Sequence, residues 1–109
     1  MTDNYLGEFE QVVLLALLHL GGDQAYGVAI QQAIMERTKR EPAIGSVYTT
    51  LTRLEAKGLV ESRLGEPTPE RGGRRKKYFT VLPAGKRAIR ASVALLRSMA
   101  RGLDESWVV

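Results

Sequence analysis

The sequence predicts a mainly α fold with one small β-hairpin, ordered helix, helix, helix, strand, basic loop, strand, helix. Two observations carry this, and a third points to the partner. Apolar residues recur at helical spacing in four segments, and a Pro- and Gly-rich loop divides two short β-prone runs; charge, meanwhile, is segregated along the chain. Residues 1–36 hold no Lys or Arg, and Asp3, Glu8, Glu10, Asp23 and Glu36 give them a charge of −5. All 16 basic side chains lie in residues 37–109, against seven acidic ones. A gathered positive surface is the electrostatic footprint of a protein that meets a phosphate backbone.

The first helix is expected from about Tyr5 to Leu20, because Leu6, Phe9, Val12, Val13, Ala16, Leu17 and Leu20 share a helical repeat. Leu14, Leu15 and Leu18 make it apolar nearly all round, so it should lie between partners. Gly21-Gly22 ends it. The second helix is expected to open between Asp23 and Tyr26, with Tyr26, Ile30 and Ile34 four residues apart and Pro42 as a breaker further on. The third is expected over Gly45–Lys57, burying Val47, Leu51 and Leu54, with Ser46 as N-cap and Gly58 as the stop. Its other face carries Thr49, Thr52, Arg53 and Ala56, flanked by Ser46, Thr50 and Lys57. Small hydroxyls and cations without bulky apolar groups suit a helix that seats deeply in a major groove about 12 Å wide.

Strands are expected at Leu59–Leu64 and Lys77–Leu82, with the loop 65–76 between them as a basic tip. Pro83 then suits the first position of a last helix that should reach about Glu105. Along it Ile89, Val93, Leu96, Ala100, Leu103 and Trp107 are spaced 4, 3, 4, 3, 4, a heptad seam expected to pair with a second copy.

Composition narrows the function. At 109 residues with 44% apolar content the chain supports one small core, which dimerisation would enlarge. With no cysteine there are no disulfides or thiolate metal sites, as suits a reducing cytoplasm. The acidic, polar first residues do not read as a secretory signal. The longest apolar run, Val12–Leu18, falls well short of the roughly 20 residues of a membrane span. His19 is the sole histidine and Asp104-Glu105 an exposed acidic pair, so no nucleophile–base, paired-carboxylate or metal constellation emerges. There is no phosphate-cradling Gly motif either. The expectation is a non-enzyme without cofactor or metal.

The element order is that of a winged helix-turn-helix, with residues 1–82 as the DNA-binding part and 83–109 as a dimerisation helix within the same compact unit. The chain resembles the PadR family of transcriptional regulators, in its short form with a single C-terminal helix. The likeness rests on Ala25-Tyr26-Gly27, on the run from Gly45-Ser46-Val47-Tyr48 through Gly58-Leu59-Val60, and on Gly72-Gly73-Arg74-Arg75-Lys76-Lys77-Tyr78-Phe79-Thr80, followed by Gly85. Leu82-Pro83 departs from the family's usual Leu-Thr at the last helix start. The resemblance implies a cytoplasmic homodimer, usually a repressor, on a palindromic operator, released in some members by small aromatic or drug-like effectors.

The DNA-binding residues expected are Ser46, Tyr48, Thr49, Thr52 and Arg53 on the recognition helix and Arg74, Arg75, Lys76 and Lys77 on the wing. Tyr48 also fits a half-buried packing role, and Lys77 a solvated strand position. Tyr26 and Gly27 read as structural. Phe9, Met99 and Trp107 are expected at an effector pocket, although all three also fit core or dimer packing. The rival from another class is a winged-helix protein-interaction module whose wing meets an acidic protein surface.

Overall fold

A computed structural model describes residues 5–67 and 75–107. It contains helices α1 (Glu8–Leu20), α2 (Gly27–Thr38) and α3 (Ile44–Ala56), strands β1 (Val60–Pro67) and β2 (Arg75–Val81), helix α4 (Pro83–Ala100) and a 3₁₀ turn at Glu105–Trp107. The two strands are antiparallel. No described helix is long and apolar enough to cross a membrane.

The core forms where the three first helices meet the hairpin. Val13, Leu14, Ile30, Ile34, Val47, Leu51, Leu54 and Val60 are fully buried, and Phe79 and Val81 close it from β2. The apolar stripe of α3 is therefore the predicted one. Gly58, at φ 76°, ends α3 in the left-handed region. Its N–H donates to the Glu55 carbonyl (3.0 Å) and that of Leu59 to Leu54 (3.0 Å), a Schellman stop that turns the chain straight into β1.

Several boundaries differ from the expectation, each for a physical reason. Helix α1 starts at Glu8 rather than Tyr5, since Glu10 reaches back to the Gly7 N–H at 2.8 Å and fixes the first turn there. Helix α2 starts only at Gly27 because Ala25 and Tyr26 are drawn into the sheet. The Phe79 N–H donates to the Ala25 carbonyl at 2.9 Å, and Tyr26 pairs with Tyr78. Ser46 is not the N-cap of α3. The helix begins two residues earlier, Ala43 holds the cap position, and no side chain bonds the first amides. Thr50, expected on the exposed flank, is 5% exposed and belongs inside.

The strands are longer than expected at the loop end. β1 runs on to Pro67 and β2 starts at Arg75, with a register shift between Leu64 and Pro67 that sets two residues, Gly65 and Glu66, against Lys76. Such a bulge bends the hairpin and increases its twist.

Helix α4 is shorter than expected. It stops at Ala100, Gly102 takes φ 90°, and Asp104 accepts from the Ser106 N–H at 2.9 Å to cap the following 3₁₀ turn. The heptad spacing thus does not continue as one helix to Leu103 and Trp107. Ile89, the first residue of the seam, is 3% exposed within the chain's own core, and Val93 packs against it. Beyond Val93 the helix leaves the body: residues 94–99 are exposed. The radius of gyration, 15.8 Å, accordingly exceeds the roughly 13 Å of a compact chain of this length.

One buried charge ties the first and third helices. Glu10 accepts from Gly7 and from the Lys57 ammonium, 2.7 Å away, while its side chain is only 7% exposed. Burial, the largest single influence, pushes its carboxyl up. The Lys57 hydrogen bond, the Gly7 N–H and the charges of Lys57 and Arg53 outweigh burial, and the pKa falls below 4.5. A carboxyl depressed in the folded state stabilises the fold above its unfolded pKa, and that contribution is lost as pH falls through the folded value. Urea midpoints measured from pH 6 to pH 3 should therefore fall more for the parent than for Glu10→Gln, which lacks this titration; parallel profiles would rule the linkage out.

Candidate nucleic-acid interface

Helix α3 offers its solvent face as the sequence predicts. Ser46, Tyr48, Thr49, Thr52 and Arg53 are exposed while Val47, Leu51 and Leu54 anchor the opposite side. No side chain caps the first amides of α3, the Ser46 N–H donating to the Ala43 carbonyl at 3.0 Å, and Ser46 and Thr49 are exposed at this end, where helix amides attract phosphate oxygens. Among the described residues Arg53 forms no salt bridge, so its five donors remain available. Lys57, placed by the sequence on the flank of this face, instead turns back to Glu10.

Tyr48 combines the two roles left open for it. It is 42% exposed, and its ring lies against Gly27, where a Cβ would overlap its hydroxyl and Cζ. Gly27 thus lets the recognition helix lay an aromatic side chain across the start of α2. An open groove at the N-terminal end of α3 is lined by Phe9, Ala43, Gly45, Ser46, Thr49 and Arg53, among others. Phe9, expected at an effector pocket, belongs here, with the Arg40 guanidinium 6.0 Å from its ring centroid. Met99 and Trp107, both exposed, are not among the residues that line it.

The wing residues divide. Arg74 lies outside the described residues. Arg75, Lys76 and Lys77 are exposed on β2. Lys77 lies 5.8 Å from the Phe79 ring centroid and Lys76 4.2 Å from that of Tyr26, each ammonium over an aromatic face with water on its other side. Tyr26 and Tyr78 meet edge to face, centroids 5.7 Å apart, and Arg63 stacks on Tyr78 at 4.9 Å. The sequence reading missed Arg63 and Glu10. Glu10 was signalled by a Glu at the third position after the cap; Arg63 becomes visible only once the strand register sets it opposite Tyr78.

A second groove, about 550 Å³, runs between α1 and α4. Leu15, Leu18, Ile89 and Val93 form its floor, and Lys86, Arg90, Arg97 and Arg101 its rim. Among the described residues no group of three His, Cys, Asp or Glu could hold a metal ion.

Three helices, a two-stranded wing and an exposed hydroxyl- and Arg-bearing helix define a winged-helix DNA-binding protein. Residues 14–91 match the transcriptional regulator PadR-like family, and the chain belongs to that family. Among solved structures it is similar to a PadR family transcriptional regulator from Eggerthella lenta, with 25% identity, a TM-score of 0.65, and 87% of this chain and 81% of that one covered. It is similar in fold to a transcriptional regulator from Clostridium thermocellum (20% identity, TM-score 0.69, 92% of each chain). The same holds for a winged-helix DNA-binding protein from STIV (12% identity, TM-score 0.71, 92% of this chain and 99% of that one). No curated protein matches the chain.

Proposed function

We propose that this transcriptional regulator binds a palindromic operator as a homodimer in the cytoplasm, acts as a repressor, and is released by a small effector. The carrying observation is the solvent face of α3, where Ser46, Thr49, Thr52 and Arg53 stand clear of the core beside uncapped helix amides. Arg53 has the fork to read guanine bidentately, and the hydroxyls suit phosphate or base edges. Arg75 and the cations beside it follow the backbone. The exposed apolar residues of distal α4, Leu95, Leu96 and Met99, support pairing with a second copy. A further groove on that side of α4, lined by Leu6, Ala88, Ser92, Leu95 and Leu96 among others, supports the effector reading, since a ligand seated there would bias how two copies dock.

Salt dependence tests the DNA reading. Binding to duplex should weaken steeply and linearly on log–log axes, and Arg75→Ala should flatten that slope by about one unit. Arg53→Ala should weaken the selected operator more than a scrambled duplex, by about 1–3 kcal/mol in discrimination. Equal loss on both duplexes would make Arg53 a phosphate contact. A salt-independent interaction would favour the protein-interaction alternative.

A further inference from the structure

The face of the hairpin that looks away from the core carries an unbroken chain of contacts. Arg63 is its hub. Its guanidinium lies 3.5 Å from an Asp23 carboxylate oxygen and 3.4 Å from the Gly22 carbonyl, both in the α1–α2 turn. Its carbon lies 4.9 Å from the Tyr78 ring centroid. Tyr78 meets Tyr26 at 5.7 Å with planes 72° apart, and Tyr26 carries the Lys76 ammonium at 4.2 Å. Space for the Tyr78 ring exists because residue 65 is glycine: a Cβ there would come within 2.6 Å of its Cε1.

The placement of this stack gives it a consequence. It covers the last regular pairs of the hairpin, and the bulge at Gly65–Glu66 follows at once. A bulge bends the strands that carry it, so the direction in which the wing leaves the body is set by whatever holds the base. Two hairpin strands alone are marginal in water. On this face the base is held through Arg63 to the turn before α2 and through Tyr78 to Tyr26 at the α2 N-cap.

We propose that Arg63 is a positioning residue: by bridging the α1–α2 turn to the Tyr78–Tyr26–Lys76 stack, it sets the angle of the wing against the recognition helix and so controls DNA affinity without contacting DNA. The inference rests on the DNA-binding reading above. Planarity matters more than charge here. A guanidinium stacks on a ring while its edge donates to two acceptors, which an ammonium on a flexible stem does not reproduce.

The test is a double-mutant cycle on a mixed-sequence duplex of about 30 base pairs, three helical turns, at several salt concentrations. Arg63→Ala should weaken binding about tenfold, the equivalent of one charge-assisted hydrogen bond, and Arg63→Lys should fail to restore it. Arg75→Ala should weaken the parent but have little further effect in the Arg63→Ala background, because a misaimed wing has already lost that contact. Size-exclusion and circular dichroism of Arg63→Ala should match the parent. Tyr78→Leu, which removes the ring from the other side, should reproduce the loss, while Tyr78→Phe should not.

Additive effects with rescue by lysine would make Arg63 a plain phosphate contact and overturn the proposal. So would a lowered melting temperature with unchanged affinity, the signature of a merely structural residue. If the parent itself ignores duplex at low salt, the DNA reading falls and the proposal with it; if the parent binds and Arg63→Ala binds equally well, only the proposal falls.

Discussion

Placing two aspartates on the distal half of α4, Leu96→Asp with Met99→Asp, is expected to convert the protein to a monomer and to weaken operator binding by 100-fold or more, with little change in the fold of each chain. Leu96 is 60% and Met99 74% exposed, so neither contributes much to the core of a single chain. The cost of charging them arises only where a partner covers them, since an unpaired carboxylate in an apolar contact is strongly disfavoured. The effect on DNA follows from linkage of two binding events. Each recognition helix in a dimer delivers the other at high effective concentration to the second half-site, and losing that coupling alone is worth roughly 10²–10⁴ in affinity. Light scattering and operator titration check both halves of the expectation. A dimer that survives would move the interface off this face, towards Leu15 and Leu18 of α1, which are also exposed.

The same helix shows how far the sequence could be followed. Spacing alone located the apolar positions of α4 but could not say which copy of the chain each one faces. Ile89 and Val93 fall within the spaced set, and the structure gives them to the chain's own core. The seam that a partner could use starts after them. Nor did spacing reveal that the helix ends at Ala100, because Leu103 and Trp107 keep the interval of four while Gly102 and the Asp104–Ser106 cap take the backbone out of helix. An interval is a property of sequence number, whereas a face is a property of continuous backbone.

Helix α3 was legible almost throughout, for the opposite reason. Its periodicity, its stop at Gly58 and its polar face are local features, and local features survive tertiary context. What local reasoning lost was its start. Ser46 has the chemistry of an N-cap, yet Ala43 occupies that place, and Ser46 sits within the first turn. The contacts made across the molecule, such as Glu10 to Lys57 over 47 residues and Arg63 to Asp23 over 40, left no trace in either local stretch. They depend on which elements lie side by side, and that is settled only when the core closes.

Two glycines illustrate how a neighbour's freedom to move decides the size of a substitution's effect, and Gly85→Ala is the second large effect expected. A Cβ on Gly85 would overlap the Leu59 carbonyl oxygen and approach Val81 Cγ1. That carbonyl is fixed, because it accepts from the Leu82 N–H at 2.9 Å in the link that seats the start of α4 on the hairpin. Neither backbone can yield without breaking this bond, so about 3 kcal/mol of stability should be lost, and the urea midpoint should fall by about 1.5 M. Gly27→Ala meets an equally close neighbour, but that neighbour is the far end of the Tyr48 side chain, already 42% exposed and able to swing outward. Alanine also suits a helix better than glycine by up to about 1 kcal/mol, which offsets the lost contact. Stability of Gly27→Ala should therefore stay within about 1 kcal/mol of the parent. Its cost should appear on DNA instead, as about a tenfold loss of affinity, because a displaced Tyr48 ring stands on the face that α3 presents to the groove. In a Tyr48→Ala background, Gly27→Ala should then leave DNA affinity unchanged and, with no ring to displace, raise stability by up to about 1 kcal/mol. A Gly27→Ala variant as destabilised as Gly85→Ala would show that the Tyr48 ring is held as firmly as backbone, and that the recognition helix and α2 move as one rigid pair.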